Sequence, residues 1–161
     1  MGKSTSTQRR HVSILTVGIL TFFIVMLTHT TLTLSLESER EINRNIRIQL
    51  AALKSETERI YEAIICSYKF DAVDVLDCCS EYISRMREHV NAIDGDVNKL
   101  IKIYKKANNT EGLALAGMMA TGVNKMKEGI GNLVRSEDSF IAHTALRDIH
   151  NAILTMQKCC N

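Results

Sequence analysis

Apolar positions fall into five blocks along this chain. From Val12 to Leu27 there is no charged residue, and with threonines and His29 admitted the neutral run reaches Leu36. As a helix, the first sixteen residues rise roughly 24 Å and the whole run about 37 Å, against about 30 Å of bilayer hydrocarbon. The run at 12–36 therefore predicts a membrane anchor or a long signal peptide. Thr33 and Ser35 are small enough for a peptidase site, which would release a chain starting at Leu36.

Beyond it the pattern becomes helical. Ile46, Leu50, Leu53, Ile60 and Ile64, with Thr57 filling the gap, alternate spacings of four and three, which is the seam of a helix packed on another helix. Leu76, Cys79, Ile83, Met86, Val90, Ile93, Val97, Leu100 and Tyr104 continue that alternation, with Asp71 or Asp74 as expected caps. A third face comprises Leu113, Ala116, Ala120, Val123, Met126, Ile130 and Val134, on a segment weakened by five glycines. The fourth takes in Phe140, Ala145, Ile149, Ile153 and Met156, with Ser136 or Ser139 as its cap. Helices are expected near 38–67, 71–106, 111–134 and 137–159. Their short connections favour an antiparallel, up-down-up-down four-helix bundle. The expected organisation is a basic flank at 1–11, the apolar run at 12–36 and the bundle at 37–161.

Composition agrees with an all-α fold, because the chain has no Pro, no Trp and only four Phe and four Tyr. Charge adds direction. Lys3, Arg9 and Arg10 precede the run, while Glu37, Glu39 and Glu41 follow it, so the N-terminus is expected in the cytoplasm and the bundle outside. Setting the flank aside, 17 basic side chains stand against 18 acidic, which leaves no basic stripe for nucleic acid. Gly2-Lys3-Ser4-Thr5 mimics part of a phosphate-binding loop but lacks the earlier glycine and the strand-to-helix turn. Met1-Gly2 with Ser6 also fits a myristoylation pattern, making Gly2 a candidate acyl site.

Five cysteines, Cys66, Cys78, Cys79, Cys159 and Cys160, all follow the apolar run. In an oxidising compartment, Cys66 joined to Cys78 or Cys79 would staple the first hairpin. The bundle topology puts Cys159 and Cys160 at the other end, and an odd count leaves a thiol free or bonded to a second chain, hence an expected disulfide-linked homodimer. The competing expectation is that the tail thiols stay reduced. No C-x2-C spacing and no nearby histidine supports a metal; His143 and His150 are too far apart along a helix to share an ion, and His89 flanks its seam. Asn108-Asn109-Thr110 is a glycosylation sequon in an expected loop, with Asn108 the acceptor.

No nucleophile–base or paired-carboxylate arrangement stands out, so neither catalysis nor a cofactor is expected. "GLALAGMMATGV" reads as a close-packing helix or, alternatively, as a membrane-active or apolar-ligand segment. In layout alone (basic flank, anchor, long first helix, bundle) the chain resembles the sensor modules of bacterial chemoreceptors. The expected function is a single-pass membrane protein presenting a helical bundle for protein–protein contact. The alternative is a secreted helical ligand, inhibitor or apolar-ligand carrier, cut near Ser35.

Overall fold

The chain is helical in the computed structural model, which describes the backbone of residues 5–66 and 76–160 and, within these, the side chains of 19–28, 33, 36–65 and 76–160. No strand occurs among the described residues. The helices are α1 (Thr5–Cys66), α2 (Ser80–Lys106), α3 (Thr110–Val134) and α4 (Ser139–Cys159). Contacts divide the chain into two units, Met1–Ser38 and Glu39–Asn161.

In the first unit, Ile19, Leu20, Phe22, Phe23, Ile24 and Val25 of α1 are all at least half exposed. Six such residues within seven consecutive positions cover every side of a helix, whereas an ordinary surface helix keeps its apolar residues to one stripe. Among the described residues no helix is long and apolar enough to cross a membrane. The side chains of 12–18, 29–32 and 34–35 lie outside the described residues, as does Gly2. The expected span over 12–36 is thus carried by the sequence and not by the structure.

The second unit is a ring of four antiparallel helices. Tyr104 bonds Glu39, His89 bonds Gln49 and Arg85 bonds Glu56, so α2 ascends as α1 descends. Lys127 reaches Asp94 at 2.7 Å, joining α3 to α2. His143 meets Tyr61, and Arg47 meets the Cys160 carbonyl, which closes α4 against α1. Every seam position predicted for α1 and α2 is buried, Leu76 and Cys79 included. Thr57 fits that dry face by giving its hydroxyl to the Leu53 carbonyl one turn back, at 2.8 Å.

The other two seams need correction. The buried line of α3 is Gly112, Ala116, Met119, Val123, Met126, Ile130 and Leu133, an unbroken four-three alternation that the expected face followed only in part. Val134 is 46% exposed, because one step past Leu133 turns it about 100° away. In α4 the seam begins at Ala142 and runs through Ala145, Leu146, Ile149, Ala152, Ile153 and Met156. Phe140 stands two residues earlier, on the opposite side, and is 79% exposed.

Helix starts also differ from expectation. Asp138, and neither serine, caps α4: its carboxylate accepts from the Ile141 amide at 2.8 Å. Ser136 is buried and gives its hydroxyl to the Leu133 carbonyl, satisfying an acceptor left over at the end of α3. The second helix proper begins at Ser80, after a single helical turn over 76–78 that Cys79 interrupts. The expected caps Asp71 and Asp74 lie outside the described residues.

Candidate functional site

The glycine-rich helix α3 packs closer than ordinary side chains permit. A Cβ added at Gly112 would sit 2.5 Å from the Tyr104 ring, at Gly122 2.5 Å from Met156, and at Gly129 2.5 Å from Ile149. These glycines let neighbouring side chains fill the space against the α3 backbone, which supports the plainer reading of "GLALAGMMATGV". On the outer side of the same seam, Gly122 and Gly129 line an open groove of about 540 Å³ together with Thr121, Lys125, Asp148 and Thr155. Its lining mixes charges and hydroxyls and converges on no single chemistry.

Between α1 and α4 a smaller groove of about 350 Å³ is lined by Thr57, Glu58, Tyr61, His143, Leu146, Arg147 and His150. The His143 Nε2 lies 2.8 Å from the Tyr61 hydroxyl, and the two rings are tilted with centroids 4.8 Å apart. Both histidines are thus half-buried beside a groove and not simply on a solvated rim. His89 is paired too, its Nδ1 2.6 Å from Gln49. Among the described residues no group of three His, Cys, Asp or Glu gathers to hold a metal ion.

One charged cluster crosses the first hairpin. Glu56 is buried on α1 and takes a 3.1 Å bond from the Arg85 Nε on α2; Arg85 also pairs with Glu81 and lies 4.7 Å over the Tyr82 ring. Every member is satisfied from within the hairpin, which reads as structural locking of α1 against α2.

Cys78, Cys79, Cys159 and Cys160 are free thiols, and the Cys66 side chain lies outside the described residues. The two adjacent pairs sit at opposite ends of the bundle, as the topology required. Cys78 is exposed, whereas burial, and then the neighbouring Cys78, pushes the Cys79 thiol up. Burial likewise raises the Cys160 thiol, opposed by Arg47 and reinforced by Cys159. A raised thiol yields less of the reactive thiolate, so Cys78 and the half-buried Cys159 are the accessible member of each pair.

Asn108 is exposed in the turn between α2 and α3 with a φ of 50°, a left-handed conformation that asparagine tolerates. Asn109 caps α3 by accepting from the Gly112 amide at 2.9 Å, and exposed Thr110 opens the helix. The sequon is therefore accessible on the surface.

At the same end the Tyr104 hydroxyl donates to Glu39 at 2.7 Å. Burial first, then the Glu39 carboxylate, pushes this phenol well above its usual range. At the far end, Val134, Phe140 and Ile141 are exposed apolar residues on either side of the α3–α4 turn. A phenylalanine left this open, with no seam to fill, is the surface feature that sequence reasoning missed by assigning Phe140 to the core. Neither a family model, a curated protein nor a solved structure matches the chain.

Proposed function

We propose that this protein is a non-enzymatic, single-pass membrane protein whose bundle, from Glu39 onward, makes protein–protein contacts outside the cytoplasm. The observation that carries the proposal is α1 over Ile19–Val25, apolar on all sides and exposed, followed by a unit that buries its own core. Hydrocarbon satisfies a helix that is apolar all round. Exposed Phe140 and Ile141 at the start of α4 are the candidate contact residues. Alkaline extraction of native membranes tests the anchor: the chain is expected in the pellet, and its release into the supernatant rejects it.

Orientation has its own test. Lys3, Arg9 and Arg10 before the apolar run are balanced by Arg40, Arg44 and Arg47 soon after it, and acidic residues weigh little in setting topology. An impermeant maleimide applied to intact cells is expected to label exposed Cys78. Labelling only after lysis would place the bundle inside. The same cells, run without reductant, test the homodimer through the accessible Cys159: a dimer lost in Cys159→Ser supports it, and monomer throughout rejects it.

One observation favours secretion as the second reading. The division at Ser38 and Glu39 lies just past the expected cut near Ser35, and the first buried residue of the bundle is Ile42. Cleavage would leave every described core residue in place. An intact mass starting at Leu36 establishes this reading and removes the anchor.

A further inference from the structure

The two ends of the bundle carry opposite charge. Where the chain enters at Glu39, Arg40, Arg44 and Arg47 of α1, Lys102, Lys105 and Lys106 of α2 and Lys158 of α4 are all exposed. Among the described residues the acidic groups there are Glu37, Glu39, Glu41 and Glu111, four against seven basic ones, and Glu39 is engaged by the Tyr104 hydroxyl. Among the described residues, the other end has Glu58, Glu62, Asp77, Glu81, Glu137 and Asp138 against Arg59, Arg85 and Arg135, with Arg85 already held by Glu56 and Glu81.

Helix dipoles account for part of this. Lys105, Lys106 and Lys158 lie in the last turns of α2 and α4, where cations are favourable. They do not account for Arg40, Arg44 and Arg47, which lie in the interior of α1, far from either terminus. Arg47 spends one bond on the Cys160 carbonyl, while nothing in the bundle neutralises the guanidinium groups of Arg40 and Arg44 through a described ion pair. Covalent reach supplies the second half of the case. Arg40 is four positions past Leu36, the last of the apolar run, a reach of at most about 14 Å even as fully extended chain. The Tyr104–Glu39 bond holds the Lys105–Lys106 turn at that same end.

Resting on the membrane anchor of the reading above and not on its orientation, we infer that the Glu39 end of the bundle docks on anionic phospholipid headgroups of the bilayer that holds the apolar run. Basic groups close to an anionic surface are attracted over roughly one Debye length, and α1, α2 and α4 each contribute to this face. The contact orients the bundle on its anchor and turns the acidic, apolar-tipped far end toward a partner.

The full chain is reconstituted in zwitterionic vesicles and in vesicles containing anionic phospholipid, recovered by flotation, and followed by amide hydrogen exchange over 105–112. Flotation with both vesicle types, with exchange on the order of fivefold slower in the anionic one, is expected. With each protein compared against itself in zwitterionic vesicles, the slowing is expected to vanish in Lys102→Glu/Lys105→Glu/Lys106→Glu and at high salt; this variant melts somewhat below the parent in both vesicle types, because Lys105 and Lys106 sit where the α2 dipole favours cations. Equal exchange in both vesicles, or slowing that survives charge reversal, overturns the inference and leaves the anchor standing. Flotation with anionic vesicles alone removes the anchor and retains the headgroup contact; flotation with neither removes both.

Discussion

The two hairpins of the bundle solve the same packing problem with opposite materials. Between α1 and α2 the interface is built from large side chains, with Ile46, Leu50, Leu53 and Ile60 facing Met86, Ile93 and Leu100, all essentially inaccessible. Between α3 and α4 the wall is opened by glycines and alanines set among the large side chains. Gly122 and Gly129 accept Met156 and Ile149, and Ala142, Ala145 and Ala152 line the other side. The first interface loses stability when a side chain is removed, and the second when one is added.

That contrast breaks most visibly at Leu53, which is fully buried and offers its carbonyl to Thr57. Leu53→Ala is expected to cost about 3–5 kcal/mol, the transfer loss plus a cavity that rigid neighbours cannot fill, measured by urea denaturation. A loss under about 1 kcal/mol would mean the α1–α2 seam is loose. Next comes Gly129→Val. Its Cβ alone would meet the Ile149 Cγ1 at 2.5 Å, so a branched side chain must displace a fully buried neighbour. The expected cost is about 1–3 kcal/mol, from overpacking and not from any lost contact. An unchanged denaturation midpoint would show that α3 and α4 are farther apart than described.

The same contrast explains what the sequence disclosed. In α1 and α2 the seam is written in large apolar residues at alternating three- and four-residue spacing, so counting such residues finds it. In α3 and α4 counting misleads, because the residue that belongs at the seam is often glycine or alanine. Gly112, Gly122 and Gly129 present no side chain to count: Gly112 and Gly122 read as part of a close-packing stretch with no face assigned to them, and Gly129 only as weakening a helix. Val134 and Phe140, large and apolar, drew the expected faces off line. The seven-residue interval between Gly122 and Gly129 was the available signal. The Asp138 cap was legible in kind, as a polar residue before an apolar run, but Ser136 competed for the same role. The Tyr61–His143 contact and the charge polarity of the ends were not legible, since both join residues distant along the chain.

A smaller effect tests the junction of the two hairpins, where the Tyr104 ring covers Gly112 and its hydroxyl meets Glu39. The folded state holds this proton more tightly than the unfolded chain, whose phenol titrates near pH 10. Stability from this group is fully present below that pH. It falls as pH rises further, because the unfolded state then binds fewer protons, with a slope of up to about 1.4 kcal/mol per pH unit. Comparing alkaline denaturation of the parent with Tyr104→Phe is expected to remove that part of the slope, after a cost near neutrality of about 1 kcal/mol for the lost bond. Parallel pH profiles would sink the assignment.

The smallest effect has the opposite sign, and it separates close-packed glycines from incidental ones. At Gly95 of α2 and Gly117 of α3 an added Cβ meets nothing within 4 Å. Neither residue has a positive φ, so alanine fits the backbone as it stands. Gly95→Ala and Gly117→Ala are each expected to gain about 0.5–1 kcal/mol from reduced backbone freedom in the unfolded chain and better helix propensity. Their sites are remote, so the double variant is expected to gain nearly the sum. Gly117 carries the sharper question, because it lies five residues before Gly122 on one helix. If Gly117→Ala stabilises while Gly129→Val destabilises, glycine in α3 is placed by contact and not by a general need for flexibility. A loss at Gly117 would mean that its exposed face is covered in the native assembly, and the stripe from Ala114 to Thr121 would then belong to an interface.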